Sequence, residues 1–329
     1  MTARASVSVA LCTHNGARFV RQQLDSILSQ QVPPREVVVS DDASTDDTVA
    51  IVEDLWAELD REVAPTLRVL RNPVALGVAR NFEQAVTACT SELIALSDQD
   101  DVWHLDRLKL VTDVFARRPR LDLLFTDARL VDETGRDLGT SLFEALEIDP
   151  DHLAGLRDGR AFEVLLKRNL ATGATIAFRR RLLGATVPFD VAWVHDEWLA
   201  IIAAAVSELD WIDNPTIDYR QHGSNQIGVR APTLRYKVRR LFGPRRERNA
   251  GLLARAVQLT TRLEQLGVGE GTLDLIRGKL EHERHRSALA RGRLARLGPI
   301  LREARSGRYA RYSSQGALDV VRDLFQPDR

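Results

Sequence analysis

The sequence predicts an α/β chain, a doubly wound and mostly parallel sheet with flanking helices, followed by a C-terminal helical region. Short β-branched runs alternate with apolar stripes of helical period over the first hundred residues. Each of those runs exits into polar residues, and beyond Gly228 the chain becomes Arg-rich with leucines at helical spacing. We place the boundary so that residues 1–230 form the sheet domain and 231–329 the basic helical region.

Val7 to Cys12 reads as the first strand, and Val20, Leu24, Ile27 and Leu28 share one face of the helix after it. Glu36 to Ser40 is the second strand. Ser44, at near capping-box spacing from Asp47, precedes a helix marked by Val49, Val52, Leu55, Trp56 and Leu59. Leu67 to Leu70 is a third strand, Phe82, Val86 and Cys89 a third helical stripe, and Leu93 to Leu96 a fully apolar fourth strand. Between 121 and 222 the rhythm loosens. Strands are expected at Leu121–Thr126, Thr172–Phe178 and Leu209–Ile212, with helices near 160–168 and 195–207. The tail carries stripes at Leu252, Leu253, Val257, Leu259, Leu263 and Leu266, then Leu273, Ile276 and Leu280, with a turn at Gly267-Val268-Gly269.

With 329 residues and 44% hydrophobic content the chain can bury a substantial core. Lys+Arg and Asp+Glu are equal at 46 each, so no global excess marks a nucleic-acid binder. The balance is uneven along the chain. Residues 231–329 hold 22 Lys/Arg against 10 Asp/Glu, leaving 24 against 36 for residues 1–230. Cys12 and Cys89 have no ligand spacing, which speaks against a disulfide framework or a zinc site. The N-terminal apolar run is too short for a signal peptide and no stretch approaches a membrane span, so a cytoplasmic location is expected.

Open sheets of this kind bind ligands beyond the carboxyl ends of their strands. Those ends read Thr13-His14-Asn15-Gly16, Asp41-Asp42, Arg71-Asn72 and Ser97-Asp98-Gln99-Asp100-Asp101, and should converge on one crevice. The last cluster has two readings. Assembled carboxylates repel unless a cation balances them, which points to a divalent metal, yet Asp is also common where helices start. Asp42 suits acceptance from a base N–H or a ribose hydroxyl, and Arg80 offers a cation to a nucleotide. Farther on, His195-Asp196-Glu197-Trp198 and Tyr219-Arg220-Gln221-His222 mix titratable and aromatic residues. Taken singly, His222 fits a hydrogen-bonded side chain as well as a ligand, and Asp196 a helix cap as well as a base. Trp103 and Trp198 suit either a sugar platform or the core, and Asp127 either acceptor contact or a strand end.

The ordered set Val7–Gly16, Val38–Asp46, Leu76–Asn81 and Ala95–Trp103 resembles family 2 glycosyltransferases of the GT-A fold. Thr172–Thr175, His195–Trp198 and Tyr219–His222 resemble the rhamnosyltransferase-like branch, and the likeness spans roughly the first 230 residues. It implies a donor site of Thr13, His14, Asn15, Asp42, Arg80 and Asp98, with His14 lying against the base where the family usually has Tyr or Phe. It implies Mg²⁺ or Mn²⁺ held by Asp100 and His222 on the donor diphosphate, Asp101 bracing the loop, and Asp196 as general base with Glu197 in reserve. The reaction implied is inverting transfer of a sugar, with rhamnose the candidate, from a nucleotide-diphosphate donor to a glycan, glycolipid or small-molecule acceptor. Two other readings stand beside it. A sugar nucleotidyltransferase would bring a Gly-rich phosphate loop that Thr13–Gly16 is not, and a non-catalytic nucleotide-sugar scaffold would not need Asp100, Asp196 and His222 together. A dehydrogenase is excluded because no G-x-G-x-x-G follows the first strand.

Tyr236 to Arg248 is cationic with interleaved apolar residues. It suits an anionic membrane surface, docking on the acidic first region, or a homodimer through the C-terminal helices.

Overall fold

The computed structural model describes residues 5–60, 62–223 and 245–327. Strands β1 (Val7–Thr13), β2 (Glu36–Asp41), β3 (Thr66–Arg71) and β4 (Leu93–Asp98) run parallel in the order β3–β2–β1–β4. They are joined by α1 (Val20–Leu28), α2 (Thr48–Glu58) and α3 (Val78–Ala88). Unbroken apolar runs suit β1 and β2 because both faces of these strands are covered.

The chain continues through β5 (Val102–Trp103), α4 (Arg107–Arg117), β6 (Leu121–Asp132), β7 (Asp137–Ser141), α5 (Leu142–Ala145), α6 (Pro150–Arg157) and α7 (Ala161–Lys167). After these come β8 (Ala177–Arg179), α8 (Leu183–Thr186), α9 (His195–Val206) and β9 (Glu208–Gln221). The sheet extends as β4–β8–β6–β9–β5, with β7 on β6. β8 is antiparallel to both neighbours, and β6 and β9 are parallel. Register decides what meets at the strand ends. Thr13 pairs with Asp41, Cys12 with Asp98, and Val102 with Asp218, so the last residues of β9 arrive beside the acidic loop after β4.

Three local expectations are corrected. Thr172–Phe178 is a 3₁₀ turn at Gly173–Thr175 followed by the three-residue β8. β9 runs on to Gln221, although Asp213-Asn214-Pro215 reads as a strand end, because Pro215 sits where the β6–β9 register shifts and no regular ladder bond is asked of it. Ser44 does not cap α2, since its hydroxyl goes to Asp41 (2.5 Å) while Asp46 accepts the Thr48 N–H (3.1 Å).

By its internal contacts the chain divides into two compact units, Met1–Arg157 with Leu170–Val229, and Asp158–Asn169 with Arg230–Arg329. The first is built on the sheet. In the second, α10 (Arg245–Leu266) and α11 (Glu270–Ser287) pack along Ala256, Leu259, Leu263, Leu273 and Ile276, joined through Gly267, whose φ of +64° a side chain would disfavour. Val257, expected on the buried stripe, is exposed. α12 (Arg293–Arg305), α13 (Arg308–Tyr312) and α14 (Ala317–Phe325) complete the unit, and α7 packs on α11 and α13.

Much of this second interior is ionic. Buried Arg286 donates to Asp323 (2.7 Å), which also accepts from the Tyr309 hydroxyl (2.8 Å) and pairs with Arg248. Buried His282 links Glu303 (2.8 Å) to Ser313 (2.9 Å). Charges this deep persist only when paired. No described helix is long and apolar enough to cross a membrane. Of the cationic segment from Tyr236 to Arg248, only 245–248 lie among the described residues, at the start of α10.

Candidate active site

β1, β2 and β4 deliver their last residues to one edge of the sheet, on either side of the point where strand order reverses. The Thr13 hydroxyl donates to Asp41 (2.8 Å), and Asp41 also accepts from Ser44 N–H (2.9 Å), so Asp41 pins the turn after β2. Asp42 accepts from the N–H groups of Leu76 (2.6 Å) and Gly77 (2.9 Å) and from Asn72 (3.2 Å), holding the segment that opens α3. A carboxylate offers about four acceptor positions, which leaves capacity for one further hydrogen-bond donor.

His14 and Asn15 are exposed at the tip of the β1 loop. The His14 ring lies with Nδ1 2.6 Å from the Asp42 carbonyl, and Asn15 accepts from Thr45 N–H (2.8 Å) with a φ of 49°. Gln99 clamps the His14 backbone from the acidic loop, accepting from its N–H (2.8 Å) and donating to its carbonyl (3.1 Å). A Cβ on Gly16 would overlap the Gln99 amide, so this clamp needs glycine there. The clamp was not read from the sequence; only the proximity of two loops 85 positions apart shows it. Arg80 pairs with Glu83 on its own helix (2.7 Å), and Glu83 also accepts from Phe189 N–H (2.7 Å).

Asp100 Oδ2 and His222 Nε2 lie 2.7 Å apart, with the His222 ring stacked on Phe19 at 5.0 Å. Asp101 accepts from the Arg220 N–H (3.0 Å) and Arg220 donates to the Asp100 carbonyl (2.7 Å), which ties the end of β9 to the acidic loop. The other Asp101 oxygen, Oδ2, is buried without a hydrogen-bond partner. Burial, reinforced by the charges of Asp100 and Asp196, pushes the Asp98 carboxyl up to about 7. Asp101 is pushed up as well, by burial and then by Asp100 and Asp98. The buried Tyr219 hydroxyl is raised in turn, first by burial and then by the charges of Asp101, Asp98, Asp100 and Asp196. These four carboxylates therefore share one electrostatic neighbourhood.

Asp196 stands in the first turn of α9, where the helix dipole favours negative charge. Its Oδ2 accepts from the Gly173 N–H (3.0 Å) and its Oδ1 from the Glu197 N–H (2.6 Å). The 3₁₀ turn carrying Gly173 is held by buried Arg107, which donates to the Ala174 carbonyl (3.0 Å). Beside Asp196, His195 is buried against Phe82 (3.9 Å between rings), and burial lowers it to about 3.

The residues present fit a divalent ion. A carboxylate oxygen and an imidazole nitrogen 2.7 Å apart can bind one ion together, beside Asp98 and Asp101, whose carboxyl groups burial and then their acidic neighbours push up. The described residues contain no group of three or more metal-ligating side chains, so an ion held by these two would take the rest of its shell from outside the protein. Trp103, 3% exposed, lies under Arg107 (4.6 Å), and Trp198, 2% exposed, donates to the Thr186 carbonyl (2.7 Å). Both are core residues rather than sugar platforms. Asp127 accepts from the Phe143 N–H (2.9 Å) and anchors α5.

Residues 8–184, more than half of the chain, match the family described as Glycosyl transferase family 2. The chain belongs to that family. Among relatives of this family 2 member, an uncharacterized protein of Mycobacterium tuberculosis is 28% identical over 219 residues, 66% of this chain and 59% of that protein. The match thus spans about three fifths of the mycobacterial relative. The dTDP-rhamnosyl transferase RfbG of Shigella flexneri is 26% identical over 67% of this chain and 74% of its own length. In fold, TarS 1–349 of S. aureus, solved with UDP-GlcNAc, superposes with a TM-score of 0.57 at 16% identity, covering 96% of this chain and 89% of TarS. The sheet and its flanking helices are those of a GT-A glycosyltransferase.

Proposed function

We propose that the protein is an inverting, metal-dependent glycosyltransferase that transfers a sugar from a nucleotide-diphosphate donor. The observation that carries this reading is the meeting of Asp100 with His222 in the same carboxylate neighbourhood as Asp196. Asp42 and the exposed His14 ring would receive the base, Asp98 the ribose, and Arg80 the nucleotide. Asp100 and His222 would hold Mg²⁺ or Mn²⁺, which when bound offsets the charge that develops on the departing diphosphate.

Asp196, oriented by the Gly173 N–H and the start of α9, takes the proton of the acceptor hydroxyl. The acceptor oxygen bonds to the anomeric carbon as the bond to the diphosphate breaks, so configuration inverts and no glycosyl-enzyme forms. Rhamnose is the proposed sugar, supported by similarity to the Shigella dTDP-rhamnosyl transferase, and a growing glycan or glycolipid the proposed acceptor.

The test offers dTDP-, UDP- and GDP-sugars with Mn²⁺ or Mg²⁺ and measures release of nucleoside diphosphate. Release that needs the metal and is lost in Asp100→Ala and Asp196→Asn supports the reading. Tight donor binding with no release in the presence of any acceptor overturns it in favour of a scaffold.

A further inference from the structure

Between Ala288 and Pro327 the arginines at 291, 293, 302, 305 and 311 are exposed, whereas the three acidic residues, Glu303, Asp319 and Asp323, are all buried. Buried Arg296, Arg322 and Asp323 consume the inward faces of α12 and α14 in paired contacts. On their outward flanks each helix carries an apolar stripe at i, i+3, i+7: Leu294, Leu297 and Leu301 on α12, and Leu318, Val321 and Phe325 on α14. Leu294 is 90% exposed, Leu318 54% and Phe325 53%. Single exposed apolar residues are ordinary, but two helical stripes on packed neighbours amid a one-signed charge mark an interaction surface.

We propose that α12 and α14 dock the protein on an anionic lipid surface, Leu294 and Phe325 entering the acyl boundary while the arginines rest among the headgroups. Charge complementarity selects this occupant. A second copy seated symmetrically on the same face would set arginine against arginine, with no exposed carboxylate in the segment to answer it. A layer of anionic headgroups over hydrocarbon answers both the arginines and the stripes.

The full chain is floated with vesicles of equal parts phosphatidylcholine and phosphatidylglycerol, and with vesicles of phosphatidylcholine alone. Binding to the first and not the second, weakening as salt is raised, is expected. The double variant Leu294→Glu, Phe325→Glu should lower partition on the order of a hundredfold, with an unchanged circular dichroism spectrum because neither side chain is in the core. Arg293→Glu with Arg305→Glu removes the charge without touching the stripes and should also abolish binding. The proposal is overturned if the wild type stays unbound, binds both vesicles alike, or is unaffected by either pair of changes. It is equally overturned if sedimentation velocity shows a dimer that Leu294→Glu, Phe325→Glu dissolves while no vesicle binds. Donor turnover in solution is expected to be the same in these variants, so this reading and the enzymatic one fail separately.

Discussion

Asp196 is fixed by two backbone amides, and the asparagine of Asp196→Asn keeps its size and one acceptor oxygen while removing the base. Turnover should fall by about 10² to 10⁴ with donor affinity unchanged. An equal loss of donor affinity, measured by calorimetric titration, would mark Asp196 as a structural residue instead. His222→Ala should erase the gain in nucleotide affinity that Mn²⁺ confers, and leave metal-free affinity as it was. Asp42 has a second duty, since its carboxylate satisfies the N–H groups of Leu76 and Gly77. Asp42→Ala strands both donors and should cost about 1–3 kcal/mol of stability, read from the urea midpoint, in addition to weakening donor binding.

Elements acquire roles from their partners. α11 carries His282 into the ionic interior of the second unit, where burial outweighs the neighbouring Glu303 and pushes it down to about 4. An unfolded chain would titrate this group near 6.5 and so binds the proton first as pH falls. Stability is therefore complete above about 6.5 and declines progressively as pH falls from there through about 4, by roughly 3 kcal/mol at most. Urea midpoints measured across this window should show the decline, and the decline should be shallower in His282→Gln. His195 at the start of α9 is lowered in the same direction and adds to the effect in the first unit. The Glu303–His282–Ser313 chain has the connectivity of a hydrolytic triad, but with His282 at 0% exposure no substrate reaches it and its work is structural.

Across the chain, two compact units are stabilised differently. The first buries an apolar core between sheet and helices, whereas the second gathers Arg248, Arg286, Glu283, Asp319 and Asp323 into one buried network. Asp323 is the shared acceptor of Arg286, Arg248 and the Tyr309 hydroxyl, and its loss leaves buried positive charge only partly answered by Glu283 and Asp319. Asp323→Ala should therefore destabilise the helical unit by about 3–5 kcal/mol in chemical denaturation followed by circular dichroism.

The four parallel strands with their three crossover helices, the polar strand ends and the family likeness could be read along the chain, because an element's period reports which of its faces is buried and the motifs are contiguous. The likeness already set Asp100 beside His222, 122 positions apart, whereas folding alone decided that Gln99 grips the His14 backbone and that a 3₁₀ turn holds Asp196. It also drew Trp103 and Trp198 into the core and paired the charges of the tail. Local spacing records the burial of a face but not the identity of what covers it, and these contacts join side chains whose separation in sequence carries no period to read.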